Sequence, residues 1–287
     1  MRKITIYLAA LFSAIVFLSS CEKEYETIEQ VDNQNIAAYK KANSSLSFTD
    51  IDGYSYSITN PGTGADLKSS DSVYYSYAFK STNGTVYSQT SNLMIPGTLL
   101  GYIDRFDIGG RAFVFKPVRE VFSKLKRGGK AVLLLPSRMA FGKNGLSTFG
   151  IGSNETIVVE LALYTYAKRH EVDAYEIPEF ISRNNLTFTN DLTTGIRYNV
   201  ITPGTGTDLV GPKTTFVCNY TGRFLDGTVF EQRDAITFRL EELIKGWGIL
   251  SGRVSAGGKI RILLPSHLAY GSNPLDFDIE ITSVTKD

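Results

Sequence analysis

Histidine is almost absent from this chain, occurring only as His170 and His267, and cysteine occurs only as Cys21 and Cys218. No Cys/His cluster with metal-ligand spacing can be assembled from these residues. Catalysis through a histidine base likewise lacks a good candidate. Charge of one sign is also missing. The 30 basic residues face 29 acidic ones, for a net charge of +1, so electrostatics makes no case for a nucleic acid as partner. Gly128-Gly129-Lys130-Ala131 has neither the upstream glycine spacing nor the following Ser/Thr of a phosphate loop. No motif calls for a cofactor. Tryptophan occurs once, as Trp247, and long apolar runs are confined to the first residues.

Those first residues have their own pattern. Arg2 and Lys3 are followed by an almost wholly apolar stretch, Ile4 to Leu18, and then by Ser19 and Ser20. A charged start, an apolar core and a small-residue exit are the parts of a secretory signal. The stretch is shorter than the ~20 residues of a spanning helix. Leu18-Ser19-Ser20-Cys21 resembles the lipobox of bacterial lipoproteins. That resemblance implies a signal at 1–20, a lipidated Cys21 and a tether over 21–34. It places the protein in the bacterial cell envelope as a lipid-anchored membrane protein, on the periplasmic face or the cell surface. Cys218 is then alone. It lies in the strand-like run Phe216-Val217-Cys218-Asn219-Tyr220, where a buried, inert thiol is expected.

About 265 residues remain after the signal, a length for roughly two domains, and 43% of the chain is apolar. An internal repeat organises them. Asn60-Pro61-Gly62-Thr63-Gly64-Ala65-Asp66-Leu67 recurs as Thr202-Pro203-Gly204-Thr205-Gly206-Thr207-Asp208-Leu209. Asn83-Gly84-Thr85-Val86-Tyr87 recurs as Asp226-Gly227-Thr228-Val229-Phe230. Leu134-Leu135-Pro136-Ser137 and Ala140-Phe141-Gly142 recur as Leu263-Leu264-Pro265-Ser266 and Ala269-Tyr270-Gly271, at a shorter offset, so the first copy carries an insert. A repeat this long is a duplicated domain and not a solenoid unit. The expected domains are 35–167 and 171–287. Short helices lead in over Asn35–Tyr39 and Glu176–Phe180, and helical spacing recurs at Val118–Leu125 and Ile244–Val254. The rest is strand-like. Asn83-Gly84 and Asp226-Gly227 predict two-residue type I′ hairpins.

The second copy carries five ordered motifs: Asn219-Tyr220-Thr221-Gly222, Leu225 to Glu231, Leu243-Ile244-Lys245-Gly246-Trp247, Leu264 to Gly271, and Leu275 to Glu280. In that order they resemble the FKBP family of peptidyl-prolyl cis/trans isomerases. The resemblance implies an α+β class: two FKBP-like domains, each a curved antiparallel sheet wrapped around a short helix. It implies that Trp247 floors a proline pocket, with Tyr220, Phe230, Tyr270 and Phe277 as walls and Glu231 in the place of the usual aspartate. Leu243 and Ile244 stand at the rim, and Ile236 takes the place of a wall phenylalanine. Phe238 is expected to point into the core. The Tyr270 hydroxyl and the Ile244 amide are implied to hold the substrate backbone. The implied partners are proline-containing exported polypeptides and, through Cys21, the membrane; the protein is expected to be a monomer.

Two departures temper the resemblance. The second copy has only Ser272-Asn273-Pro274 where the family has a longer loop overhanging the pocket. The first copy keeps such a loop, Lys143 to Asn154, but has Ser88 at the aspartate position, Val118 at the tryptophan position and Val159 at the last phenylalanine. The first copy is therefore expected to be degenerate. A non-catalytic chaperone or binding lipoprotein of the envelope is the competing reading.

Overall fold

The computed structural model describes residues 26–286. The expected signal, Cys21 and the first tether residues lie outside them. Among the described residues, no helix is long and apolar enough to cross a membrane.

The first half runs α1 (Ile28–Ala42), β1 (Thr49–Ile51), β2 (Tyr54–Asn60), β3 (Ser72–Ser81), β4 (Val86–Gln89), β5 (Gly97–Leu99), β6 (Arg105–Ile108), β7 (Arg111–Val114), α2 (Lys116–Phe122), β8 (Lys130–Leu135) and β9 (Ile157–Leu163). The second runs α3 (Arg169–Arg183), β10 (Thr189–Asn190), β11 (Arg197–Thr202), β12 (Thr214–Phe224), β13 (Val229–Arg239), β14 (Lys259–Leu264) and β15 (Leu275–Lys286). The two sheets have the orders β1-β2-β8-β9-β3-β4 and β10-β11-β14-β15-β12-β13, which correspond strand for strand. Helices with antiparallel sheets make the class α+β.

The period of two explains where the helices sit. Ile260, Ile262 and Leu264 of β14 enter the main core of the second sheet, while Leu263 points the other way, against Ile177 and Phe180 of α3. In β8, Leu133 and Leu135 face the core and Leu134 packs against Ile36 of α1. Each sheet is thus buried on both faces at this strand, which is why the sequence there is a continuous apolar run. The inner faces pack on α2 through Val118, Val121 and Phe122, and on the turn Lys245–Leu250 through Trp247, Ile249 and Leu250. That second turn is a 3₁₀ helix; Gly246 and Gly248 weaken an α-helix there by about 1 kcal/mol each.

Three expectations change. The span read as a tether over 21–34 is helical from Ile28, because Thr27 and Gln30 form a reciprocal capping box at 3.2 and 2.7 Å. The Asn35–Tyr39 and Glu176–Phe180 segments are accordingly parts of helices of 15 residues each. The hairpins are not two-residue type I′ turns. Only Gly84 and Gly227 have positive φ, at 93° and 91°, while Asn83 and Asp226 accept from Thr85 and Thr228 backbone N–H groups. The Asx bond favours a three-residue turn ended by a left-handed glycine. The insert in the first copy comprises the β6–β7 hairpin and a wide excursion between β4 and β5, which in the second copy form the single strand β13.

That excursion reaches the second half. Leu93 packs with Ile177 and Phe180 of α3 and with Leu225 and Leu263, and Ile95 packs with Val172 of α3 and Tyr74. The segment between the sheets is therefore a helix packed on both and not a solvated linker.

Candidate active site

A cavity of about 280 Å³ opens on the second sheet, lined by Tyr220, Glu231, Arg233, Ile236, Phe238, Leu243, Ile244, Trp247, Tyr270 and Phe277. Strand β12 supplies Tyr220, β13 the residues from Glu231 to Phe238, the 3₁₀ turn Trp247, and β15 Phe277. Phe230 stands behind the wall, its ring 5.7 Å from Phe277 and 6.5 Å from Tyr270. The volume is at the small end of the ~300–1,000 Å³ typical of ligand pockets, so it fits one small apolar group.

The indole of Trp247 is held edge-on by three rings: Tyr220 at 5.3 Å, Phe277 at 5.4 Å and Phe238 at 5.9 Å. Such T-shaped contacts set the edge of one ring against the face of the next. Trp247 is only 3% exposed, so it forms a buried floor. Tyr270 is 64% exposed, because the short Ser272–Pro274 segment puts nothing over it.

Phe238 packs against the core as expected but also lines the cavity, and Arg233 joins it. The cause is a β-bulge. The register moves from Cys218 opposite Ile236 to Tyr220 opposite Arg233, leaving Asp234 and Ala235 opposite Asn219. Ala235 has φ of 52°, and its N–H donates to Asn219 Oδ1 at 2.8 Å. The extra residue inverts the alternation, so Glu231 and Arg233 before it share a face with Ile236 and Phe238 after it. A period-two reading of β13 carries no trace of the inversion. A second bulge, at Gly222 and Arg223, places Phe230. A Cβ on Gly222 would lie 2.6 Å from Phe230 Cζ and 2.8 Å from Phe277 Cε1, so both rings need a glycine there.

Glu231 organises the polar side of the cavity. The Tyr220 hydroxyl donates to its carboxylate, and burial, then this bond, push the phenol well above its ordinary range. Burial, then the charge of Glu231, also push Tyr270 up. Both phenols therefore remain proton donors throughout the neutral range. Arg233 Nη2 lies 3.5 Å from Glu231 Oε1 and partly offsets the charge. The lining includes no Ser, Thr, Cys, His or Lys, so the chemistry on offer is apolar contact, hydrogen-bond donation and the acceptor carboxylate of Glu231. Cys218 is fully buried and its thiol is pushed up to about 12 by burial, which makes it inert.

The corresponding place in the first half is filled. Phe79 sits opposite Val159 where Gly222 sits opposite Phe277, so the bulky ring has moved to the neighbouring strand. It packs against Phe106 at 5.3 Å, Phe115 at 5.1 Å and Phe141 at 6.0 Å. The hairpin β6–β7 and its following residue contribute Phe106, Phe113 and Phe115 to this cluster. The long loop closes over it: Leu146 and Ile151 are buried, Phe149 lies against Gly109 of the hairpin turn, and Tyr87 donates to Glu155. Val118 is fully buried at the base.

Residues 207–283 match the model of the family described as FKBP-type peptidyl-prolyl cis-trans isomerase. The isomerase FkpA of Escherichia coli is 34% identical over 104 residues, covering 32% of this chain and 38% of FkpA. The outer membrane protein MIP of Legionella longbeachae is 32% identical over 109 residues, covering 33% of this chain and 46% of that protein. This chain thus spans less than half the length of either relative. The crystal structure of FkpA from Escherichia coli superposes with a TM-score of 0.35 at 25% identity, over 57% of this chain and 71% of that one. The segment that matches the FKBP-type peptidyl-prolyl cis-trans isomerase family, residues 207–283, contains every residue lining the aromatic cavity.

Proposed function

We propose that the second half catalyses cis/trans isomerisation of X–Pro bonds in exported polypeptides. The observation that carries this is the aromatic cavity floored by Trp247 inside the family-matched segment. Amide resonance sets a rotation barrier of ~18–20 kcal/mol, and uncatalysed X–Pro exchange takes tens to hundreds of seconds. Twisting the bond removes the resonance and makes the amide less polar. A dry pocket of rings stabilises that form relative to the planar one, with no nucleophile or metal. In this reading the proline ring rests on Trp247 between Tyr220, Phe277 and Phe238. Tyr270, held protonated, donates its hydroxyl to the substrate backbone, and the Ile244 N–H does the same at the rim. Glu231 fixes Tyr220. An isomerisation assay with a short X-Pro peptide on the mature chain tests it. Trp247→Ala is expected to lower kcat/KM at least about tenfold, or ~1.4 kcal/mol of transition-state stabilisation. An unchanged rate would refute the pocket assignment.

We further propose that the first half is non-catalytic, its pocket filled by Phe79, Phe106 and Phe115, and that the protein works as a lipid-anchored monomer of the cell envelope. The anchor is Cys21, and its several acyl chains would hold where a single chain binds only marginally. Membrane fractionation of a Cys21→Ala variant should move the protein to the soluble fraction; retention on the membrane would contradict the anchor. A second reading, a chaperone without isomerase activity, is favoured by the missing overhang beside Tyr270. Protection of a proline-free client with no isomerase rate would select it.

A further inference from the structure

The wall that carries Tyr270 is held from outside the family-matched segment. Ser266 opens the 3₁₀ turn Ser266–Leu268 that follows β14. Its carbonyl accepts from the N–H groups of Ala269 at 3.0 Å and Gly271 at 2.8 Å, the residues on either side of Tyr270. Its own N–H and Oγ both donate to Asp173 Oδ2, at 2.9 and 2.6 Å. Asp173 belongs to α3, is 3% exposed, and precedes the matched residues, which start at 207. We propose that Asp173 is a positioning residue for the pocket, fixing the backbone from which Tyr270 projects over the cavity. This rests on the isomerase reading above.

The duplication shows what is particular to this clamp. In the first half Asp32 of α1 accepts from the N–H and Oγ of Ser137, and Thr156 Oγ1 donates to its other oxygen at 2.6 Å. That clamp is closed within its own half and stands over a filled aromatic cluster. In the second half the other oxygen of Asp173 accepts instead from Arg169 Nε at 2.8 Å. Ile28, the first residue of α1, stands where Arg169 opens α3. Arg169 also donates to the Ile95 carbonyl at 3.2 Å, and pairs with Glu176, which accepts the Ile95 N–H at 2.6 Å. Asp173 is therefore oriented by an arginine seated on the first half, and it passes that orientation to Ser266 and to the two peptides around Tyr270. Removing the carboxylate leaves two buried Ser266 donors without an acceptor and frees the turn. A looser Tyr270 binds the substrate backbone less well, so the loss falls mainly on KM.

The test uses the mature full-length protein, a short X-Pro peptide, and the fluorescence of Trp247, the only tryptophan in the chain. Asp173→Ala should lower kcat/KM by roughly 5–20-fold, chiefly through KM, with weaker peptide binding seen at Trp247. Asp173→Asn, which keeps an acceptor for Ser266, should recover part of the loss. A folded Asp173→Ala protein whose KM and peptide affinity stay within twofold of wild type, even with a lowered Tm, would overturn the assignment and leave Asp173 a purely structural clamp. If Asp173→Ala does not fold, Ser266→Ala decides by the same criterion, with a loss of a few-fold expected because one of the two bonds remains. No rate and no peptide binding in the wild-type protein would refute the isomerase reading itself, and with it this inference.

Discussion

At the scale of single residues, one difference between the two halves is where a single ring is placed. Gly222 leaves room for Phe230 and Phe277, whereas Phe79 at the matching register fills the space and Val159 stands in for Phe277. The ring at this place in the first half thus comes from the strand next to the one that carries Phe277 in the second. The same contact gives a prediction. Gly222→Ala would push its methyl group into the Phe230 and Phe277 rings, at 2.6 and 2.8 Å. Overpacking of this kind costs ~1–3 kcal/mol, and the displaced Phe277 would no longer brace Trp247. Chemical denaturation should show that destabilisation, and the isomerisation assay a loss of kcat/KM larger than the fraction unfolded explains. Wild-type kinetics in a folded variant would show that the rings have slack. Most of the lining was legible in the sequence because its residues sit in short motifs whose order is preserved. Phe238 and Arg233 were not, because the bulge at Asp234 and Ala235 changes which side chains share a face without changing any residue type.

At the scale of elements, α3 is the part least visible in the sequence. Its polar residues look like a solvated face, yet Asp173 and Glu176 are buried, with partners in distant segments. The recurrence of Asp32 and Asp173 at matching places in the two copies was the available sign. Glu176 is fully buried between Arg169, Asp173 and the Ile95 peptide. Burial pushes its carboxyl up to about 7, although Arg169 pulls the other way. The folded chain thus holds this proton more tightly than the unfolded chain, where the group titrates near 4.5. The sign of the linkage follows: its contribution to stability is complete below pH 4.5 and is lost as the pH rises through about 7. Glu176→Gln keeps an acceptor for the Ile95 N–H and removes the titration. Thermal melts at several pH values across that window should show a flatter dependence of Tm in the variant than in the wild type. Parallel curves would mean that Glu176 stays charged in the folded protein.

At the scale of the whole molecule, the strand-for-strand correspondence of the two sheets was legible from the repeat, since each copy folds by its own local pattern. How the copies meet was not, because much of the contact is made by the excursion at residues 90–96, which the second copy lacks and which therefore had no counterpart to reveal it. Leu93 enters an apolar cluster formed by Ile177 and Phe180 of α3 with Leu225 and Leu263 of the second sheet. Burying a leucine stabilises by ~1.5–3 kcal/mol, and a carboxylate left there without a partner costs more. The contact is expected to couple the melting of the two sheets. Trp247 reports on the second half alone, while circular dichroism reports on both. In the wild type the two signals should lose structure at one temperature. In Leu93→Asp they should separate, with the Trp247 transition parting from the dichroism curve, because α3 loses one of its two apolar contacts with the first half while each sheet keeps its own core. Coincident transitions in the variant would mean that the Arg169–Glu176–Ile95 network and the packing of Ile95 and Tyr74 on Val172 suffice to couple the halves, and that the Leu93 cluster adds nothing to their cooperativity.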